Sequence, residues 1–115
     1  MLSLDDVKSS TTVETFVVIG NEHLGQIGYT DHGVVHVNLI AGLSRKILLD
    51  LGYDARMAEL AGISGYMHDL GNVINRLEHS QSGALMAMEI LRRMGMKPDE
   101  ISIIVAAIGN HDEGI

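Results

Sequence analysis

Cysteine is absent from the 115 residues, which excludes disulfides, thiolate-bound zinc and a cysteine nucleophile. Tryptophan is also absent, and aromatic residues make up only 3% of the chain. Sandwiches and barrels draw heavily on aromatic and β-branched side chains, so apolar mass carried by Ile, Leu, Val, Ala and 7 Met suits packed helices instead. Positive charge is scarce as well: 8 Lys plus Arg stand against 15 Asp plus Glu, a formal net charge of -7. The basic pairs Arg45-Lys46 and Arg92-Arg93 are isolated, which argues against polymeric nucleic acid as a partner. No stretch approaches the ~20 apolar residues of a membrane span, and Met1 to Lys8 lacks a basic segment followed by an apolar one. A cytoplasmic protein with no membrane partner is therefore expected. What is present, 46% hydrophobic and 20% charged residues, is a composition able to build one globular domain over residues 1–115.

One Pro and 13 Gly punctuate the chain. Ser3 can cap a first turn through Asp5, Asp6 and Val7. Thr11 with Glu14 has the spacing of a capping box, and Val13, Phe16, Val17, Gly20, Leu24 and Ile27 follow at helical intervals. Thr30 or Asp31 can cap a second long helix whose stripe is His36, Leu39, Ile40, Leu43, Ile47 and Leu51, stopped by Gly52. Asp54 can cap a third, in which Ala58, Ala61, Gly62 and Gly65 permit close helix approach, with Gly71 as its expected end. A fourth helix opens at Glu78-His79-Ser80, carries Ala84, Leu85, Met88 and Leu91, and closes at Gly95. Pro98, Asp99 and Glu100 suit the first turn of a fifth, whose apolar face is Ile101, Ile104, Val105 and Ile108. Val17-Val18-Ile19 is strand-like in composition but lies within helical periodicity.

The chain holds 6 His, and their placement carries the functional argument. His32 and His36 are four apart and share a face if the helix has begun by His32. That spacing alone is equally met by a helix-terminal His and a satisfied core His. His68-Asp69 places two metal-competent side chains at the end of an apolar helix. His79 opens the fourth helix, and His111 with Asp112 closes the fifth, so antiparallel packing can gather them. Imidazole and carboxylate together suit Mn, Fe, Co, Ni or Zn held between helices. No Gly-x-Ser-x-Gly elbow competes; Gly62-Ile63-Ser64-Gly65 has the wrong spacing.

The order His36, His68-Asp69, His79, His111-Asp112 on a helical chain resembles the HD-domain superfamily of metal-dependent phosphohydrolases. Tyr29-Thr30-Asp31-His32-Gly33-Val34-Val35-His36-Val37 with Ile40-Ala41 resembles the first-histidine helix. His68-Asp69-Leu70-Gly71 resembles the His-Asp-Ile-Gly motif. His79 with Gly83 resembles the third block of HD-GYP-type cyclic dinucleotide phosphodiesterases, and Ala107-Ile108-Gly109-Asn110-His111 the fourth. The resemblance runs from about Tyr29 to Glu113.

It implies an all-α, HD-domain-like bundle of about five or more helices around one or two divalent ions (Mn, Fe, Mg, Ni, Co or Zn). It also implies a small phosphorylated substrate: a phosphomonoester, nucleotide or cyclic nucleotide. His36, His68, Asp69 and His79 would be ligands, with Asp69 bridging or orienting the attacking water. His111 would hold a second ion, and Asp112 ranks below it. His32 would contact a substrate phosphate or donate a proton. Asn72 stands where many members carry Lys, Arg or His, so Arg76 would supply the cationic phosphate contact, with Asn72 beside it. The family's final Asp on a later helix has no counterpart, so a domain lacking its C-terminal helix or helices is expected. A non-catalytic metal- or nucleotide-sensing domain and a di-iron oxygenase are the alternatives. The apolar excess in so small a chain fits a homodimer.

Overall fold

The computed structural model describes residues 1–29 and 32–111. Among these residues the fold is all-α: α1 (Leu4–Lys8), α2 (Thr11–Gln26), α3 (Val34–Asp50), α4 (Ala55–Met67), a one-turn 3₁₀ segment (Leu70–Val73), α5 (His79–Arg93) and α6 (Pro98–Gly109). Val17-Val18-Ile19 is helical, inside α2. No described helix is long and apolar enough to cross a membrane.

Local chemistry sets most of the boundaries. Ser3 and Asp6 form a reciprocal capping box at α1, and the Asp54 side chain accepts from the Met57 amide at α4. Gly52 and Gly95, at φ +91, let the chain leave α3 and α5 through the left-handed region. Three boundaries differ from the sequence expectation. Helix α2 is capped by Ser10, whose side chain accepts from Val13, one residue before the expected Thr11. Helix α3 is capped by Gly33 with no side-chain bond, not by Thr30 or Asp31, which lie outside the described residues. Helix α4 ends at Met67, ahead of Gly71, because the chain tightens into the 3₁₀ turn after Asp69.

The core gathers Val7, Val13, Val17, Val37, Ala41, Ile63, Met67, Leu70, Ala87, Leu91, Ile104 and Ile108. Helices α3 and α4 are joined by small residues: a Cβ on Gly65 would lie 3.1 Å from both the Ala41 Cα and the Ile40 carbonyl. That close approach rotates the buried face of α3 away from the expected one. Val37 and Ala41 are buried, whereas Leu39, Leu43, Ile47 and Leu51 are 59, 47, 55 and 68% exposed. Leu39, Leu43, Ile47 and Leu51 of the stripe read from spacing form an outward ridge, while His36 and Ile40 are half-buried. Helix α5 shows a smaller phase error, with Ala84, Ala87 and Leu91 inside while Leu85 and Met88 face out.

A second small-residue contact fixes the middle of the chain. A Cβ on Gly71 would overlap the His79 carbonyl, and Gly83 lies against the Gly71 amide. The 3₁₀ turn therefore rests directly on the first turns of α5. Farther out, Arg56 on α4 donates twice to Glu100 on α6, at 2.7 Å each, and once to the Leu2 carbonyl at 2.7 Å. This clamp joins the N-terminal segment to two helices.

Candidate metal centre

Four helix termini converge on one carboxylate. Asp69 follows the end of α4, His36 lies in the first turn of α3, His79 opens α5, and His111 follows α6. Asp69 is 9% exposed. Its Oδ2 is 2.9 Å from His32 Nδ1, 3.1 Å from His68 Nε2 and 3.7 Å from His36 Nε2. Its Oδ1 is 3.3 Å from His79 Nε2 and 4.0 Å from His111 Nε2. Burial alone would raise its pKa, but hydrogen bonding and charge from His68 and then His32 outweigh it and hold the carboxyl well below the usual range. Asp69 is an anion with each oxygen turned to a different group of imidazoles.

The backbone selects which nitrogen most of these rings present. Nδ1–H of His68 donates to the Gly65 carbonyl at 2.6 Å, that of His79 to Arg76 at 3.1 Å, and that of His111 to Ile108 at 2.6 Å. Nε2 is then the nitrogen left to face Asp69, and once a ring gives up any Nε2 proton to solvent or to an incoming ion it offers the lone pair that a metal ligand requires. His79 Nε2 and His111 Nε2 face one another at 3.1 Å. Two lone pairs at that distance repel unless a proton or a metal cation lies between them. Nitrogens bound at about 2.0–2.1 Å to one tetrahedral or octahedral ion are separated by roughly 2.9–3.4 Å, so the pair fits a shared ion.

Two triads have ligand atoms within 4.8 Å of one another: His32, His36 and Asp69, and Asp69, His79 and His111. His68 stands on the seam between them, with its ring centroid 5.5 Å from that of His36 and 5.2 Å from that of His111. The residues present are able to hold a divalent ion, and Asp69 belongs to both triads. Of the ligands expected from sequence, His36, His68, Asp69, His79 and His111 come together; Asp112 lies outside the described residues.

His32 also reaches the cluster, but not by the expected route. Helix α3 starts at Val34, so His32 precedes the helix and does not share its face with His36. Its amide donates to Asn21 Oδ1 of α2 at 2.7 Å, and its ring centroid lies 4.8 Å from that of His36. Asn21 carried no sequence signal, because its role depends on α2 packing beside a loop.

Arg76 stands at the edge of the cluster, with Nη1 4.0 Å from Asp69 Oδ1 and 3.5 Å from Asn72 Oδ1. Its guanidinium lies 5.0 Å from the centroid of the Tyr29 ring, within cation–π range. Asn72 is only 2% exposed, and its Nδ2 has no hydrogen-bond partner among the described residues. It stands behind Arg76 as a support and has little surface to offer a ligand. A cleft of about 220 Å³ runs along Asn72, Asn75, Arg76 and the exposed His23. A second, of about 280 Å³, meets His68 and His111 beside Ser44 and Ser64. Tyr29 and Glu78 went unassigned by sequence. Glu78 takes a left-handed conformation, φ 56 and ψ 29, to turn the chain into α5 immediately before His79.

No family model matches the chain, and no solved structure matches it significantly. The chain is similar to the Uncharacterized protein MJ1020 of Methanocaldococcus jannaschii, with 26% identity over 133 aligned positions. The match takes in 96% of this chain and 51% of that protein, so the chain spans about half the length of this relative.

Proposed function

We propose that this chain is an HD-type, divalent-metal-dependent phosphohydrolase acting on a phosphomonoester, nucleotide or cyclic nucleotide. The observation that carries the reading is the bifacial Asp69 carboxylate, one oxygen turned toward His36 and His68 and the other toward His79 and His111. In this reading His36, His68 and Asp69 would hold a first ion, and Asp69, His79 and His111 a second. Two such ions would supply Lewis acidity toward a phosphoryl oxygen and lower the pKa of a bound water toward neutrality.

The protein's own groups do the rest. Asp69 stays ionised and ties the two ligand sets together. The Gly65, Arg76 and Ile108 carbonyls fix the imidazole tautomers. Arg76, 30% exposed and leaning on Tyr29, binds phosphate oxygens at the edge of the centre. It takes the place of the cation missing at Asn72. With the imidazoles neutral, Arg76 balances the charge of Asp69, so divalent ions held here would be what draws an anionic ligand despite the net charge of -7.

The test is hydrolysis of a phosphate-ester panel, including a bis(aryl) diester and cyclic nucleotides, by protein loaded with Mn²⁺, Fe²⁺, Co²⁺ or Zn²⁺. Turnover that disappears in Asp69→Asn and with a chelator supports the reading. Stoichiometric metal with no turnover across the panel rejects hydrolysis in favour of a metal-sensing domain. Oxygen-dependent optical changes in the iron-loaded protein instead favour a di-iron oxygenase.

A further inference from the structure

We infer that His32 is itself a ligand of the first ion, through Nδ1, and that Asn21 is the residue that positions it. The inference rests on the two-ion reading above and extends it to a side chain whose expected role was substrate contact or proton donation.

The geometry separates His32 from its neighbours. Three imidazoles of the cluster are locked by backbone carbonyls at Nδ1 and therefore present Nε2. His32 is turned the other way: its Nδ1 lies 2.9 Å from Asp69 Oδ2, nearer than His68 Nε2 at 3.1 Å or His36 Nε2 at 3.7 Å. With the His32 side chain 20% exposed, the Nε2–H of a Nδ1-bound ring can be met by solvent. A ring nitrogen each from His32 and His36 and an Asp69 oxygen already form a three-ligand group within 4.8 Å.

The placement is built by two elements. Because α3 begins only at Val34, the helix cannot position His32. The loop amide of His32 is instead bonded by Asn21 Oδ1 at 2.7 Å, from the middle of α2. Among the described contacts, the bond from Asn21 is to His32 and not to the carboxylate or the other rings. His32, from the loop before α3, would thereby add a nitrogen ligand to the first ion beside His36, His68 and Asp69.

The experiment is Co²⁺ titration of the wild-type chain, His32→Ala, His32→Gln and Asn21→Ala, read by calorimetry, by bound-metal analysis and by the Co²⁺ absorption bands. Outer-shell partners alone cost roughly 10–100-fold in metal affinity, so loss of the ligand should weaken one of two sites by at least ~100-fold, and Asn21→Ala should weaken the same site by ~10-fold. The second site should keep its affinity and its spectrum. In wild-type protein labelled with ¹⁵N-histidine, His32 Nδ1 should carry a direct hyperfine shift from Co²⁺, a readout that needs no variant to fold. Two sites within threefold of wild type in folded His32→Gln, or a His32 ring with neither nitrogen directly shifted, overturns the assignment and leaves His32 as a proton donor. Wild-type protein that binds no Co²⁺ overturns the two-ion reading itself, a distinct result.

Discussion

Replacing Gly71 with Ala tests how the turn after Asp69 is held. The added Cβ would overlap the His79 carbonyl oxygen and lie 2.7 Å from its carbon, with the Gly83 nitrogen at 2.8 Å. Returning the carbon alone to an ordinary 3.4 Å contact requires 3.4 − 2.7 = 0.7 Å of separation, and the oxygen requires more. All three atoms are backbone, so no side-chain rotation can relieve the overlap. Overpacking of this kind costs about 1–3 kcal/mol, and the upper end applies because two secondary elements must part. The stiffer unfolded chain returns about 0.4–1 kcal/mol. A net loss of about 2–2.5 kcal/mol should lower Tm by roughly 10 °C in a domain of this size.

The same displacement would carry His79 Nε2 away from Asp69 Oδ1, now at 3.3 Å, so Gly71→Ala should also weaken the second ion. Gly83→Ala is the matched control. Its Cβ meets the Gly71 amide at 3.1 Å and the flexible Ile108 methyl at 3.6 Å, while a helix-interior Gly→Ala change gains about 1 kcal/mol in propensity. Its Tm should stay within a few degrees of wild type. Thermal melts read by circular dichroism, with and without Co²⁺, check both variants. A Gly71→Ala protein melting within 2 °C of wild type and retaining two ions would refute this account of the turn.

Further outcomes follow from other contacts. Gly42→Ala, on an open face of α3 where an added Cβ meets nothing within 4 Å, should raise stability by about 1 kcal/mol by the same melts. Glu100→Gln should cost about 1 kcal/mol at neutral pH, since it weakens a half-buried, bidentate charge-assisted pair with Arg56. The Arg56 hydrogen bonds hold Glu100 below its ordinary value of 4.5. The pair's stabilisation is therefore fully present above that value and is lost as pH falls through the lower folded pKa. Urea melts at pH 7 and below pH 4 should show the difference between wild type and Glu100→Gln shrinking in acid. Arg76→Ala should raise KM for a phosphate ester by roughly 10–100-fold with bound metal unchanged, as expected for one lost charged contact. An unchanged KM would remove Arg76 from the phosphate site.

Helix positions were legible in the sequence because caps and glycine stops act locally, as at Ser3, Asp54 and Gly52. The inward face of α3 was not. Hydrophobic spacing weighs large side chains, whereas α3 meets α4 through Ala41 against Gly65, and this contact turns Leu39, Leu43 and Ile47 outward. The histidine order was legible for a related reason: each candidate ligand lies near a helix terminus, and termini keep their place along the chain. The Asn21 bond to His32, the Tyr29 platform under Arg76 and the placement of Asn72 behind it come from pairings between distant segments. No local pattern encodes them.

The central claim is that one carboxylate joins two ion sites. Calorimetric and bound-metal titration of wild type, His36→Ala, His111→Ala and Asp69→Asn with Co²⁺ tests it most directly. The expected result is two ions for wild type, one strongly bound ion for each histidine variant, and loss of both high-affinity sites in Asp69→Asn. An Asp69→Asn protein that is folded and still binds two ions with wild-type affinity would contradict it.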